Sequence, residues 1–389
     1  MSKKTLLQLA LFFLIWRVSL FVVGSVADNF LTYAPTFPYA QELLATYDMP
    51  RWLYSWANFD GVHYLTIAEK GYIGTGLIQA FFPGFPLTMM GANFLLGNTL
   101  VTGLLLANFS TLLLMMVWYG FVSEVYDQQT AKISLLILFL FPTAFFFGAV
   151  YSEALFLALI IGSFWAARRR QWWLAGILAA VASATRVVGV GLVPALLLEL
   201  YLQLTEQKSP KQTWQKLARQ AWPAVVWIAI GTVGLLAYMW FLYGEFRDAL
   251  YFLHVQSEFG GGRQESLVLY PQVVWRYIKI LLTYRPFNLN YLAYVQEFVA
   301  GTVGLLTLVM SYRQVRWSYL LFALGAFIVP TLTGTFSSMP RYILVCFPLF
   351  IWLTLQLQNK RWLLSLYLVG SIVLLFVNLI LFIQGYWIA

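Results

Sequence analysis

Asp60 and His63 stand three residues apart in the run WLYSWANFDGVHYLTIAEKGY, residues 52–72, which also carries Glu69 and Lys70. A carboxylate held near an acceptor hydroxyl can take its proton as a general base. Gly61, the next residue, would let backbone and substrate come close. Aromatic residues crowd the run, Trp52, Trp56, Phe59, Tyr64 and Tyr72 among them. Such rings can anchor a reactive loop or simply form an interfacial belt, and a loop carboxylate can be an ordinary solvated group. The residue types leave both readings of Asp60 open.

The second set of chemically useful residues is basic. Arg17 falls in the middle of an apolar run, Arg186 lies within another, and Arg341 opens a third as Pro340-Arg341-Tyr342. A charge in hydrocarbon costs about 2.5 kcal/mol or more, so each needs a partner or a wet cavity. An internal ion pair would satisfy Arg17, and snorkelling would satisfy Arg341. For arginines on the outer side the alternative is phosphate, which the guanidinium fork fits well. Arg263 follows Gly260-Gly261-Gly262, a run that could cradle phosphate or act as a linker; the closing Gly-Lys-Ser/Thr of a Walker A loop is absent. Glu153, beside Tyr151, suits the cap of a following helix and is also the candidate for a second carboxylate.

These residues are carried by a chain built for lipid. Hydrophobic residues make up 61% and charged residues 10% of 389, against about 25% charged in soluble domains. Apolar runs of bilayer-spanning length recur from end to end, without the alternation of a barrel strand. An all-α polytopic membrane protein follows. The net charge of +9 does not indicate nucleic acid, because the basic residues sit in short blocks between apolar segments, where they set orientation. One cysteine, Cys346, excludes an internal disulfide, and two histidines leave a His-rich metal site without ligands.

The positive-inside rule puts Lys3 and Lys4 in the cytoplasm. Residues 5–26 then form a first span, although Ser25-Val26-Ala27 imitates a signal-peptide cleavage site. Residues 27–80 carry five acidic residues against Arg51 and Lys70 and are predicted to be an external loop. Arg168-Arg169-Arg170 and the segment with Lys208, Lys211, Lys216 and Arg219 should both face inward. The apolar run between them is therefore predicted as a hairpin of two short helices turning near Arg186. Spans follow at 99–122, 133–150, 153–167, 221–243, 290–311, 317–334, 341–356 and 362–384, about eleven in all. The segment 81–96, with Pro83 and Pro86, is left over as a re-entrant or interfacial helix, and 244–289 is a second external segment with an amphipathic piece near 273–282.

Phe59-Asp60-Gly61-Val62-His63-Tyr64-Leu65, with Ile67-Ala68 and Gly71-Tyr72, resembles the W-D-G-x-H-Y-L-x-I-A-x-x-G-Y loop of the PIG-V mannosyltransferases, which are GT-C glycosyltransferases. The resemblance extends through Phe81-Phe82-Pro83-Gly84-Phe85-Pro86-Leu87, Phe141-Pro142-Thr143-Ala144, Tyr151-Ser152-Glu153-Ala154-Leu155-Phe156 and Ala184-Thr185-Arg186. Arg17 and Pro340-Arg341-Tyr342 also fit. It covers most of residues 10–200 and is loose in the C-terminal half. Phe59 departs from the usual Trp but keeps an aromatic ring.

The resemblance implies a GT-C fold: a conserved module over 1–243 with juxtamembrane helices in its first external loop, the external segment 244–289, and C-terminal transmembrane helices over 290–389. It also implies inverting transfer of a sugar, mannose in eukaryotic members, from a polyprenyl-phosphate donor. Asp60 would be the base, with His63, Tyr64 and Glu153 as support or acceptor contacts. Arg186, Arg341 and Arg263 would contact the donor phosphate, and Arg17 would be a structural buried charge. The length resembles that of a prokaryotic plasma-membrane member, with the site on the external face and a lipid, glycan or protein acceptor. No cofactor is implied, and a lone Asp60 without a neighbouring acidic pair speaks against a metal held by the first loop alone. The rival is a transporter or flippase of a lipid-linked sugar. Transporters spread polar residues across the midplane of repeated helices; here they cluster toward one side, which favours the enzyme.

Overall fold

The first apolar run becomes helix α1 (Lys3–Ser25), started by Ser2, whose hydroxyl accepts from the Thr5 amide. This computed structural model describes residues 1–73, 77–206, 214–259, 263, 264 and 266–388. Lys208, Lys211 and Gly260-Gly261-Gly262, all raised by the sequence, lie outside the described residues. After α1 come short turns, including Arg51–Tyr54, and then α2 (Asp60–Lys70). The leftover segment forms α3 (Gly84–Leu96), with Phe94 91% exposed on its outer side.

Side-chain caps mark the next starts: Asn98 opens α4 (Thr99–Val125) and Asp127 opens α5 (Gln128–Phe139). A buried 3₁₀ turn, Ala144–Gly148, leads to α6 (Glu153–Arg168). Then α7 (Trp172–Thr185) and α8 (Leu192–Glu206) form the expected hairpin, with Arg186 at its turn. The chain continues through α9 (Trp214–Ile230), α10 (Val233–Phe246), the amphipathic α11 (Tyr270–Thr283) and α12 (Leu289–Met310). It ends with α13 (Trp317–Thr331), α14 (Phe347–Leu357) and α15 (Arg361–Ile383).

Among the described residues six helices are long and apolar enough to cross a membrane, seven if the pair Met339–Val345 and Phe347–Leu357, bent by 81°, is one span. The protein is a multi-pass membrane protein. Of the expected eleven or so spans, two of them predicted short, only six or seven reach spanning length among the described residues. Residues 133–150 do not form one span, because α5 stops at Phe139 after 12 residues. α6 has 16 residues, α7 14 and α13 15, against about 20 for a spanning helix. Short helices and broken backbone are tolerated at membrane depth where their ends are buried in protein or line a wet cavity. The start of α6 at Glu153 and the end of α7 at Thr185, each 1% exposed, meet that condition.

α6 is the central helix, packed against α4, α7 and α8 and buried along most of its length. Gly120 makes room there: a Cβ would stand 2.4 Å from the Trp165 ring. α1 docks on α15 and α4, and Trp16 Nε1 donates to the Phe139 carbonyl at 2.8 Å.

Arg17 is 5% exposed, but the expected internal ion pair is absent among the described residues. Its guanidinium lies 3.9 Å from the Phe21 ring and 4.1 Å from the Trp56 ring, and none of its three nitrogens has a hydrogen-bond partner among the described residues. Aromatic faces substitute for a carboxylate at this contact.

Candidate active site

Asp60 is the first residue of α2, where a helix dipole favours negative charge. The residue before it is strained: Phe59 has φ 59° and ψ −117°, a left-handed conformation costing about 1–3 kcal/mol for a side chain other than glycine. Ring contacts with Phe37 at 4.5 Å, Trp387 at 5.6 Å and Phe382 at 5.9 Å pin it there. Asn58 Nδ2 donates to the carbonyls of Phe382 at 2.7 Å and Ile383 at 3.2 Å, tying the loop to the end of α15. Tyr151 completes the turn, its hydroxyl accepting from the Asp60 amide at 3.2 Å and donating to the Asn58 carbonyl at 2.9 Å.

Gly61 does something other than the sequence suggested. It is buried, and a Cβ would meet Ala57 Cβ at 3.1 Å and the Val150 carbonyl at 3.4 Å. It permits close packing of α2 on the chain below, not approach of a ligand.

The charges form one chain of contacts. Arg341 Nη1 meets Asp60 Oδ2 at 2.6 Å, and its Nε lies 3.5 Å from Glu153 Oε1. Arg186 Nη1 meets the same Glu153 oxygen at 2.6 Å. Each arginine is placed by a helix end: Arg186 caps the C-terminus of α7, and Arg341 sits in the one-turn helix Met339–Tyr342, just before the 81° bend. Their guanidinium groups also lie over aromatic rings, Arg341 5.4 Å from Tyr151 and Arg186 5.5 Å from Tyr342.

A cavity of about 1080 Å³ opens beside this chain, lined by Asp60, His63, Tyr64, Arg186, Arg263 and Arg341. The structure thus brings together six of the eight residues singled out from sequence. Glu153 does not line the cavity; it is 1% exposed and lies behind the two arginines, joined to both. Arg17 is elsewhere, under Trp56.

His63 stacks on Phe81, ring centroids 4.7 Å apart. Burial holds its pKa below the ordinary imidazole value, with the Asp60 charge opposing. The Tyr64 hydroxyl is 3.1 Å from Ser152 Oγ, and burial pushes its pKa up. Arg263 Nη1 donates to Gln256 Oε1 at 3.2 Å. Among the described residues no three His, Cys, Asp or Glu side chains gather as a metal-ion set.

Sequence reasoning missed the far wall of this cavity, where Arg276, Tyr277, Glu297 and Trp387 reach it. Glu297 is a lone acid inside the apolar run of α12, the same signal that drew attention to the arginines.

A sequence model described as Mannosyltransferase (PIG-V) matches residues 6–249. The chain belongs to this mannosyltransferase family. Among curated relatives it is 32% identical over 150 residues to GPI alpha-1,6-mannosyltransferase 2 of Cricetulus griseus, and 31% identical over 150 residues to that of Mus musculus. Each match covers 34% of this chain and 29% of the relative, so it spans less than a third of those proteins. Among solved structures, the crystal structure of ArnT from Cupriavidus metallidurans bound to undecaprenyl phosphate aligns over 96% of this chain and 76% of that one. The TM-score is 0.50 at 12% identity. That likeness is one of architecture, and this PIG-V family member has the GT-C fold.

Proposed function

We propose that this PIG-V family member is an inverting membrane glycosyltransferase that moves mannose from a polyprenyl-phosphate donor to an acceptor hydroxyl. Its site would face the outside of the plasma membrane, with the N-terminus in the cytoplasm. The observation that carries the reading is the chain Asp60–Arg341–Glu153–Arg186, with the base candidate and two guanidinium groups on one cavity wall. The family match supports the sugar. The undecaprenyl phosphate bound to ArnT makes a lipid phosphate a reasonable ligand for this fold.

In this mechanism the acceptor oxygen attacks the anomeric carbon while Asp60 accepts its proton. The bond from that carbon to the phosphate oxygen breaks, and the electron pair leaves on polyprenyl phosphate, stabilised by Arg186 and Arg341. Attack opposite the leaving group inverts the anomeric centre. Glu153, tied to both guanidinium groups, holds them in place. Arg341 is engaged by Asp60; a donor phosphate, equally suited to the guanidinium fork, would compete for Arg341 and release the carboxylate for the acceptor.

The test is purified protein with polyprenyl-phosphate [14C]mannose and total membrane lipid as acceptor, scoring released polyprenyl phosphate. Asp60→Asn should lower release by about 10²–10⁴-fold with unchanged folding. Wild-type rates in that variant would remove Asp60 as base. Movement of the donor across vesicles without release would replace the enzyme by a transporter.

A further inference from the structure

Glu297 is 2% exposed, lies in the middle of the apolar α12, and forms no ion pair with a described residue. A carboxylate buried that way is costly. Its hydrogen-bonding neighbours orient it. The Tyr277 hydroxyl donates to Oε2 at 2.6 Å, Trp387 Nε1 donates to Oε1 at 3.3 Å, and the Ser338 amide contributes as well. These three donors leave the carboxyl group acceptor positions to spare, and it lines the cavity.

We infer that this wall is a carbohydrate subsite for the acceptor, in which Glu297 accepts hydrogen bonds from sugar hydroxyls and the half-buried Trp387 ring supports the sugar's apolar face. The inference rests on the proposed transferase reading and extends it to the acceptor's chemical class. Ligand sites of this kind pair a few placed polar groups with aromatic walls. Tyr294, whose ring is 6.4 Å from that of Tyr277, and Asn290 also line it.

Arg276 shares this wall, where its Nη1 donates to the Gly334 carbonyl at 3.0 Å, whereas Arg186 and Arg341 are held by Glu153 and Asp60. The cavity thus offers guanidinium groups for an anion beside Asp60 and a hydroxyl-accepting carboxyl group at Glu297. Phe59 connects them: it precedes Asp60 and packs edge-on against Trp387 at 5.6 Å. A sugar resting on Trp387 therefore lies one ring away from the proposed base. Of the subsite residues, Tyr277, Asn290, Tyr294, Glu297 and Trp387 all lie outside the stretch matched by the family, 6–249.

The experiment uses the full chain in nanodiscs. Saturation-transfer NMR with methyl hexopyranosides at millimolar concentration reads binding without turnover, and steady-state kinetics with lipid acceptors reads KM. Wild type and Asp60→Asn should both bind the glycosides. Glu297→Ala and the same-sized Glu297→Gln should weaken binding roughly ten- to hundredfold and raise the acceptor KM to match, leaving the donor KM within about twofold. If Glu297→Ala fails to fold, Glu297→Gln carries the test. Equal glycoside binding in wild type and Glu297→Gln, no binding to wild type, or a rise in donor KM instead would overturn the subsite. Glycoside binding through Glu297 without release of polyprenyl phosphate would keep the subsite and sink the transferase; transfer unaffected by Glu297→Gln would do the reverse.

Discussion

Arg341 touches two carboxylates at once, Asp60 at 2.6 Å and Glu153 at 3.5 Å, with only 6% of its side chain exposed. Truncating one member of a buried network strands the others, so Arg341→Ala should cost about 3–5 kcal/mol of stability, measured by chemical unfolding in detergent. Arg341→Lys keeps the charge but not the fork; it should fold and show a raised donor KM. His63 gives a pH signature. Burial lowers its proton affinity in the folded state, so the unfolded chain binds the proton more tightly. That contribution is intact above the unfolded pKa of about 6.5 and is lost as pH falls below it. Melting temperatures at pH 5 and pH 7.5 should differ less in His63→Gln than in wild type. Asp60 was legible in the sequence as a polar residue in an aromatic run. Its partner was not, because Arg341 lies 281 residues away and no local pattern says which of several arginines will arrive. Arg17 is buried as its sequence position suggests, but the sequence shows only the charge, not that rings would stand in for an acid.

Among the elements, the α7–α8 hairpin was legible because two basic blocks bracket one apolar run, and α3 because proline and leftover length set it apart. The breaks were not: hydropathy is continuous through Leu140–Thr143 and through Cys346, where the backbone nevertheless turns. α3 carries a prediction of its own. At its first residue, Gly84, a Cβ would stand 2.6 Å from Thr185 Oγ1 and 2.9 Å from the Ala184 carbonyl. Gly84→Ala should therefore push on the end of α7, one residue from Arg186. The expected cost is about 1–3 kcal/mol together with a slower turnover, checked by comparing unfolding midpoints and kcat in one preparation.

For the molecule as a whole, the family-matched stretch and the C-terminal helices meet at the cavity. α15 holds the Asp60 loop through Asn58, and Gln384 Nε2 donates to Asp28 Oδ1 at 2.6 Å. Deleting residues 361–389 should thus abolish transfer even though residues 6–249 remain, and limited proteolysis should find the segment before α2 newly cleavable. The same long-range ties order events in time. During synthesis the Asp60 loop is complete long before Arg341 exists, and at about 5–20 residues per second the carboxylate waits roughly 15–60 s for its guanidinium. Until α15 follows, Asn58 lacks the carbonyls it donates to and Phe59 lacks the Phe382 ring, so the Asp60 turn is fastened only late in synthesis.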